Sequence, residues 1–332
     1  MQATRTLIAA LLLSCAASSA VQAQTTRYTG ICDASAAVGI GRDHFVVGDD
    51  ERHVLFVYRA GSPAAVGEVD LGAYLGAIDS KGEAEELDIE GAARIGDRIY
   101  WITSHGANGK GEPQPTRRRF FATTVVDSGP VPTVQALKTP PYTKLLEKAL
   151  ADPKLAQLFE SASKLAPESE KGLNIEGLAA TPDGQLLIGF RNPRPEGKAL
   201  VLPLRNPAAV LDTGADPVFG EVIRLDLGQR GIRSLEWGGT DYRIVGGPHG
   251  DRKEDPKALS FELYKWAGAG TQPVLVPQNK FGDINPEALF RMNTTGRWYV
   301  LSDDGGVAVG KHACKKKKVP VEKKGFRGMY LD

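Results

Sequence analysis

Apolar runs of roughly four to eight residues, each closed by glycine, asparagine or acidic residues, follow one another along most of the chain. That rhythm predicts strands and tight turns. The first unit reads Asp33–Ile40, His44–Gly48, a turn at Asp49-Asp50-Glu51, then His53–Tyr58 and Val66–Leu71. The second reads Ile89–Ile95, Arg98–Thr103, Arg119–Val126 and Thr133–Leu137, and the third Ile175–Ala180, Gln185–Phe190, Lys198–Leu204 and Val218–Leu227. A fourth runs Ile232–Trp237, Tyr242–Val245, Ala258–Trp266 and Pro273–Val276. The fifth begins at Ala288, continues Trp298–Leu301 and ends with Phe326–Leu331, one strand short.

A phrase marks the start of these units. Asp88-Ile89-Glu90-Gly91-Ala92-Ala93 returns as Asn174-Ile175-Glu176-Gly177-Leu178-Ala179, with fainter echoes at Ser234-Leu235-Glu236-Trp237 and Asn285-Pro286-Glu287-Ala288-Leu289. Repetition of a four-stranded antiparallel unit predicts an all-β fold, a five-bladed β-propeller. The stray extended piece Thr25–Tyr28 supplies the missing fifth-blade strand and closes the ring, which removes an open sheet edge. Between the second and third blades, at about 140–171, Tyr142, Leu145, Leu146, Ala149, Leu150, Leu155, Leu158 and Phe159 recur at near-helical spacing. This predicts a helical insertion with its apolar stripe against the sheet edge.

Residues 1–23 carry Arg5, an apolar run Leu7–Leu13 and a small-x-small ending Val21-Gln22-Ala23, the pattern of a secretory signal peptide. The expectation is a periplasmic or secreted protein with residues 24–332 as one propeller domain; Cys15, in Leu12-Leu13-Ser14-Cys15, leaves lipoprotein anchoring as an alternative. No later stretch has the apolar length of a transmembrane segment. Loss of Arg5 would take the formal charge from +1 to 0, which argues against nucleic acid as a bulk electrostatic partner. Cys32 and Cys314 lie at opposite ends of the mature chain, where they either form a disulfide across the closing junction or remain separate buried thiols. The run Lys315–Lys318 reads as a solvated loop or as a contact for an anionic surface or polymer.

In a propeller the first strand of each blade lines the central channel. Glu90, Glu176, Glu236 and Glu287 would therefore converge at one mouth, with Asp33 as the first-blade equivalent. Asp49, Asp50, Glu51, His105, Arg191, Asn192, His249, Asp251, Asp303 and Asp304 would surround them. Close carboxylates raise one another's pKa unless cations or donors intervene. Asp33, Glu90, Glu176, Glu236 and Glu287 are thus candidate ligands for a hard ion, Ca2+ or another divalent cation such as Mn2+ or Mg2+. Arg117, Arg119, Arg191 and Asn192, with Asp303 and Asp304, are candidates for holding a small anionic molecule, since arginine forks match phosphate and carboxylate. The repeated glutamates can equally serve the scaffold, by capping backbone N–H groups where first strands crowd.

As an enzyme, the coherent version is a metal-dependent phosphoric ester hydrolase, with Glu90 or Glu176 as base and His105 or His249 as proton donor. The chain has no Gly-x-Ser-x-Gly elbow, no phosphate-cradling loop followed by Lys and Ser or Thr, and no HExxH helix. Its five histidines are unclustered, which argues against a dedicated zinc site.

Asp88–Trp101 with Ser104-His105-Gly106, Arg117–Phe121, Asn174–Asn192 with Gly189-Phe190-Arg191-Asn192-Pro193, and Gly197-Lys198-Ala199-Leu200 together resemble the bacterial family of unknown function DUF3616. Asp33–Ala37 and Asp49-Asp50-Glu51 fit the same pattern, extending the likeness over nearly the whole mature chain. The resemblance implies repeat structure and export, and marks Glu90, His105, Arg117, Glu176, Arg191 and Asn192, but supplies no reaction or nucleophile. The Glu-Gly phrase also bears a more distant likeness to secreted phytase- and esterase-like propellers. The leading expectation is an exported propeller binding a small anionic or metal-associated ligand at its channel mouth. A hydrolase and a protein-interaction scaffold are the alternatives.

Overall fold

The computed structural model describes residues 25–49, 51–78, 82, 85–250, 259–277 and 281–331. The expected leader at 1–23, Cys15, Asp50 and Asp251 lie outside these described residues. Five four-stranded antiparallel sheets form the blades of a propeller. Blade one is Ala34–Ile40, His44–Asp49, Val54–Arg59 and Ala65–Asp70; blade two is Ile89–Ile95, Arg98–Thr103, Phe120–Val126 and Thr133–Ala136. Blade three is Asn174–Ala180, Leu186–Asn192, Ala199–Leu204 and Ile223–Leu225, and blade four Gly231–Trp237, Tyr242–Gly247, Glu262–Trp266 and Val274–Leu275. Blade five takes Pro286–Arg291, Trp298–Ser302 and Gly325–Leu331 from the C-terminal part and Thr26–Thr29 from the N-terminal part. The expected closure is present, with Thr26 opposite Gly328 and Thr29 opposite Gly325.

Apolar side chains alternate along each strand and meet those of the neighbouring blade, so the core consists of wedges between adjacent sheets. At the closing wedge, Tyr28 stacks on Phe326 at 5.1 Å between ring centroids and meets Phe45 and Tyr58 edge-on. Its buried hydroxyl shares a 2.7 Å hydrogen bond with that of Tyr299. The borrowed strand thus holds both flanking blades through one aromatic residue. The Cys32–Cys314 disulfide crosses the same junction, with a sequence separation of 282.

The insertion contains helices Leu145–Leu150 and Pro153–Phe159 and a 3-10 turn at Ala162–Lys164. Asp152 caps the second helix, accepting from the Lys154 and Leu155 amides, and Pro153 occupies its first turn, where no amide donor is needed. Leu145, Leu146, Leu155 and Phe159 are buried against blades two and three. Each such burial stabilises by roughly 1.5–3 kcal/mol. A further helix, Pro207–Thr213, sits in the connection within blade three, in a stretch that strand periodicity leaves unassigned.

The innermost strands share one irregularity that builds the site. Each slips register by one residue against its neighbour near its start, between Ala34/Ala36, Ile89/Gly91, Ile175/Gly177, Ile232/Ser234 and Pro286/Ala288. A bulge re-aims the extra residue. The bulged residues are Ser35, Glu90, Glu176, Arg233 and Glu287, and each is followed by glycine, alanine or serine. Small size is required there: a Cβ on Gly91 would lie 2.9 Å from Leu178 Cβ of the next blade, and one on Gly177 would lie 3.2 Å from Leu235 Cβ.

Candidate functional site

At the end of the channel where the bulges lie is a cavity of about 350 Å3, lined by Glu90, Glu176, Arg233 and Glu287 from the bulges, Arg191 and Asn174 beside them, and Glu86, Asp88, Arg117, Glu168, Phe261, Asn285, Asp303 and Lys315 from the surrounding loops. Three of the repeated glutamates meet as expected. Glu236 does not line this cavity: it lies three residues further along its strand, opposite Arg243, and its place at the mouth belongs to Arg233. Burial pushes the Glu236 carboxyl up to about 8, against the pull of Arg291. The echo Ser234-Leu235-Glu236 aligns on the wrong residue. The shared signal is a variable residue followed by a small one, which selects Arg233-Ser234.

Substituting arginine for the fourth glutamate changes the electrostatics of the ring. Glu176 Oε1 accepts from Asn174 Nδ2 at 2.8 Å, Arg191 Nη1 at 2.8 Å and Arg233 Nη1 at 3.2 Å. Arg233 also pairs with Glu287, whose second oxygen accepts from Ser35 Oγ at 3.4 Å. Both arginines are buried, and Arg191 Nε, Arg233 Nε and Asn174 Oδ1 are left without hydrogen-bond partners, while Glu176 Oε2 is met by the Arg233 guanidinium at 3.0 Å. Polar groups so deeply placed are normally satisfied. Beside them Arg117 donates to Glu86 at 2.6 Å and stands 3.4 Å from Asp88, whose carboxylate also accepts from Ser104 Oγ.

Asp33 faces Asp303 across an isolated β-bridge at the blade one–blade five junction. Burial, reinforced by the neighbouring Asp303 carboxylate, pushes Asp33 up to about 9, so the pair holds a proton at neutral pH. Asp303 faces the cavity; Asp33 is behind it and is not a lining residue.

Other expected residues have structural partners. Asp304 accepts from Ser302 Oγ and, through both oxygens at 2.8 Å, from Arg327, outside the lining. Arg119 donates to the Leu75 and Pro115 carbonyls and does not reach the cavity. Asn192 is buried, donating to the Pro167 and His249 carbonyls, so it positions two rim loops rather than facing the mouth. His249 lies between the lining residues Pro248 and Gly250. His105 departs furthest from expectation. With φ 56° its backbone turns the ring beneath the loop, where it lines a separate apolar cavity with Leu146, Phe159 and Phe190. Its Nδ1 donates to the Thr103 carbonyl at 2.9 Å, Nε2 is unpartnered, and burial drives its pKa down to about 4. A neutral ring facing away from the mouth cannot supply a proton there.

Among the described residues, no three His, Cys, Asp or Glu side chains are grouped as a metal would need, because arginines separate the ring carboxylates. Lining carboxylates number seven against four cations, a formal excess of three negative charges. The arrangement can therefore hold an anionic group at the arginines while its acids favour a cation nearby.

These features define a β-propeller with a mixed-charge cavity at one channel mouth. Residues 127–284 match the family model described as "Protein of unknown function (DUF3616)". The match takes in Asn174–Asn192 but not the likenesses noted at Asp33–Ala37 and Asp88–Phe121. A comparison with curated proteins finds no match. Among solved structures, the chain is similar to the Myxococcus xanthus glutaminyl cyclase, at 11% identity over 92% of this chain and 94% of that one, TM-score 0.45. It is similar also to a PQQ-bound aldose sugar dehydrogenase from Streptomyces coelicolor (10%, 93% and 99%, TM-score 0.41) and to a GH43 β-1,3-galactosidase (10%, 90% and 90%, TM-score 0.44).

Proposed function

We propose that the channel-mouth cavity binds a small ligand bearing an anionic group, taken up together with a divalent cation such as calcium. The observation that carries this reading is the buried pair Arg191 and Arg233, which lean on one carboxylate, Glu176, and each keep an unpartnered Nε. Guanidinium groups so placed suit the planar, forked geometry of a phosphate or carboxylate. An anion entering alone would meet the acidic excess of the lining; a cation held by Glu90, Glu287 or Asp303 would offset it. Of the two histidines expected as proton donor for phosphate ester hydrolysis, His105 faces the other cavity and His249 sits between the lining residues Pro248 and Gly250. Hydrolysis is the second reading and binding the function proposed.

The test is thermal melting with inorganic phosphate, calcium, and both, on the wild-type chain and on Arg191→Lys, which keeps the charge but removes the fork. Saturating ligand at about a hundred times its Kd stabilises by roughly 2.7 kcal/mol. Phosphate with calcium is expected to raise Tm by more than either alone, and Arg191→Lys to abolish most of that rise. A wild-type melt indifferent to every combination, or a shift that Arg191→Lys leaves intact, defeats the proposal.

A further inference from the structure

The closing junction carries a feature that the cavity does not explain. Residues 311–324 hold seven lysines and one acid, Glu322, a local formal charge of +6 in a chain whose total is +1, leaving −5 on the rest. Such segregation is not required by the fold.

The lysines are displayed on a pinned loop. Cys314 is tied to Cys32 by the disulfide, Val319 is buried, and the Lys315 amide donates to Gly305 O. Lys324 Nζ donates to the Lys315 carbonyl, joining the two ends of the lysine-rich segment. Lys311, Lys316, Lys317, Lys318 and Lys323 are exposed, and their ammonium groups have no carboxylate partner among the described residues. Two exposed valines accompany them: Val307, 37% exposed and paired through its carbonyl with the Cys314 amide, and Val321, 56% exposed, in the turn Val321–Lys323.

We propose that this loop is a docking surface for an anionic phospholipid bilayer. A dissolved polyanion would need the lysines alone; the valines beside them suit a surface that offers acyl chains beneath its phosphates. Each lysine near an anionic bilayer is worth about fivefold in partitioning, and the attraction decays over roughly 8 Å at physiological salt. Because Lys315 and Gly306 also form part of the cavity lining, docking brings one side of the channel mouth to the surface. The proposal does not depend on what the cavity binds.

The experiment is co-sedimentation of the full chain with vesicles of phosphatidylcholine alone and of phosphatidylcholine mixed with phosphatidylglycerol, with soluble polyphosphate as a competing ligand in a separate arm. Recruitment to the anionic vesicles only, released by high salt, is expected. The triple variant Lys316→Gln, Lys317→Gln, Lys318→Gln should partition about a hundredfold more weakly, and the uncharged Val321→Ser should weaken binding at unchanged net charge. All four positions are exposed, and unchanged melting of the variants confirms that the fold survives. Absence of recruitment at low salt, equal recruitment of the triple variant, or binding of polyphosphate without binding of vesicles overturns the proposal.

Discussion

Arg233 Nη1 lies 3.0 Å from Glu176 Oε2, and the other amino group of the same guanidinium meets Glu287, so one side chain of the fourth blade joins the third to the fifth. All three groups are buried. The charges at the channel mouth are therefore part of the ring's own closure as well as of its cavity.

Removing that arginine leaves two carboxylates in a desolvated place with less compensation. Arg233→Met is expected to destabilise by about 3–5 kcal/mol, as when one partner of a buried pair is deleted. Arg233→Met combined with Glu287→Gln should recover part of the loss. Urea unfolding of the single and double variants measures both, and additive effects would show that the two residues are not coupled.

His105 makes stability sensitive to acid. Its folded pKa, about 4, lies below the ordinary 6.5, so the unfolded chain binds the proton more readily. The neutral ring's contribution is present above pH 6.5 and is lost as pH falls toward 4, by up to about 3 kcal/mol. His105→Asn suits the left-handed backbone and removes the titration. Its unfolding free energy should fall less between pH 6.5 and 4 than that of the wild type.

Asp33 has the opposite sign. With its folded pKa raised to about 9, the stabilisation from its protonated form is complete below about pH 4 and declines as pH rises toward 9. Asp33→Asn keeps a neutral, near-isosteric group and should be more stable than wild type at pH 8, by at least about 1 kcal/mol. Matched chemical melts at pH 5 and pH 8 test this, with the difference expected to widen at the higher pH.

The disulfide closes a loop of sequence separation 282. Constraint of so long a loop in the unfolded chain is worth about 5 kcal/mol on chain-entropy grounds. Cys32→Ser with Cys314→Ser should lower Tm and speed amide exchange in Thr26–Thr29 before that of the inner strands. Uniform acceleration throughout the sheet would show that the bridge secures the whole ring rather than its last strand.

The strand rhythm was legible because inner strands buried on both faces read as short, nearly continuous apolar runs cut by turn residues, and the missing fifth-blade strand was legible because an open edge demands a partner. Three of four repeated glutamates reached the cavity for the same reason. Glu236 misled because matching letters is not matching register: a bulge is defined by hydrogen bonding, and its trace in the sequence is only the small residue that follows. His105 misled because its backbone takes φ 56°, which hides the ring among apolar side chains. Lys315 drew attention as part of a charge run, yet only the pinned loop brings it to the cavity.

Periodicity and turn residues, both local, were sufficient for five blades, their order, the helical insertion and the N-terminal closure. Which side chains meet at the mouth was settled by the ring itself. Closure brings five distant bulges to one axis: the Arg191–Glu176 pair sits within one hairpin, but the pairing of Arg233 with Glu176 of the third blade and Glu287 of the fifth exists only through distances that no single segment contains.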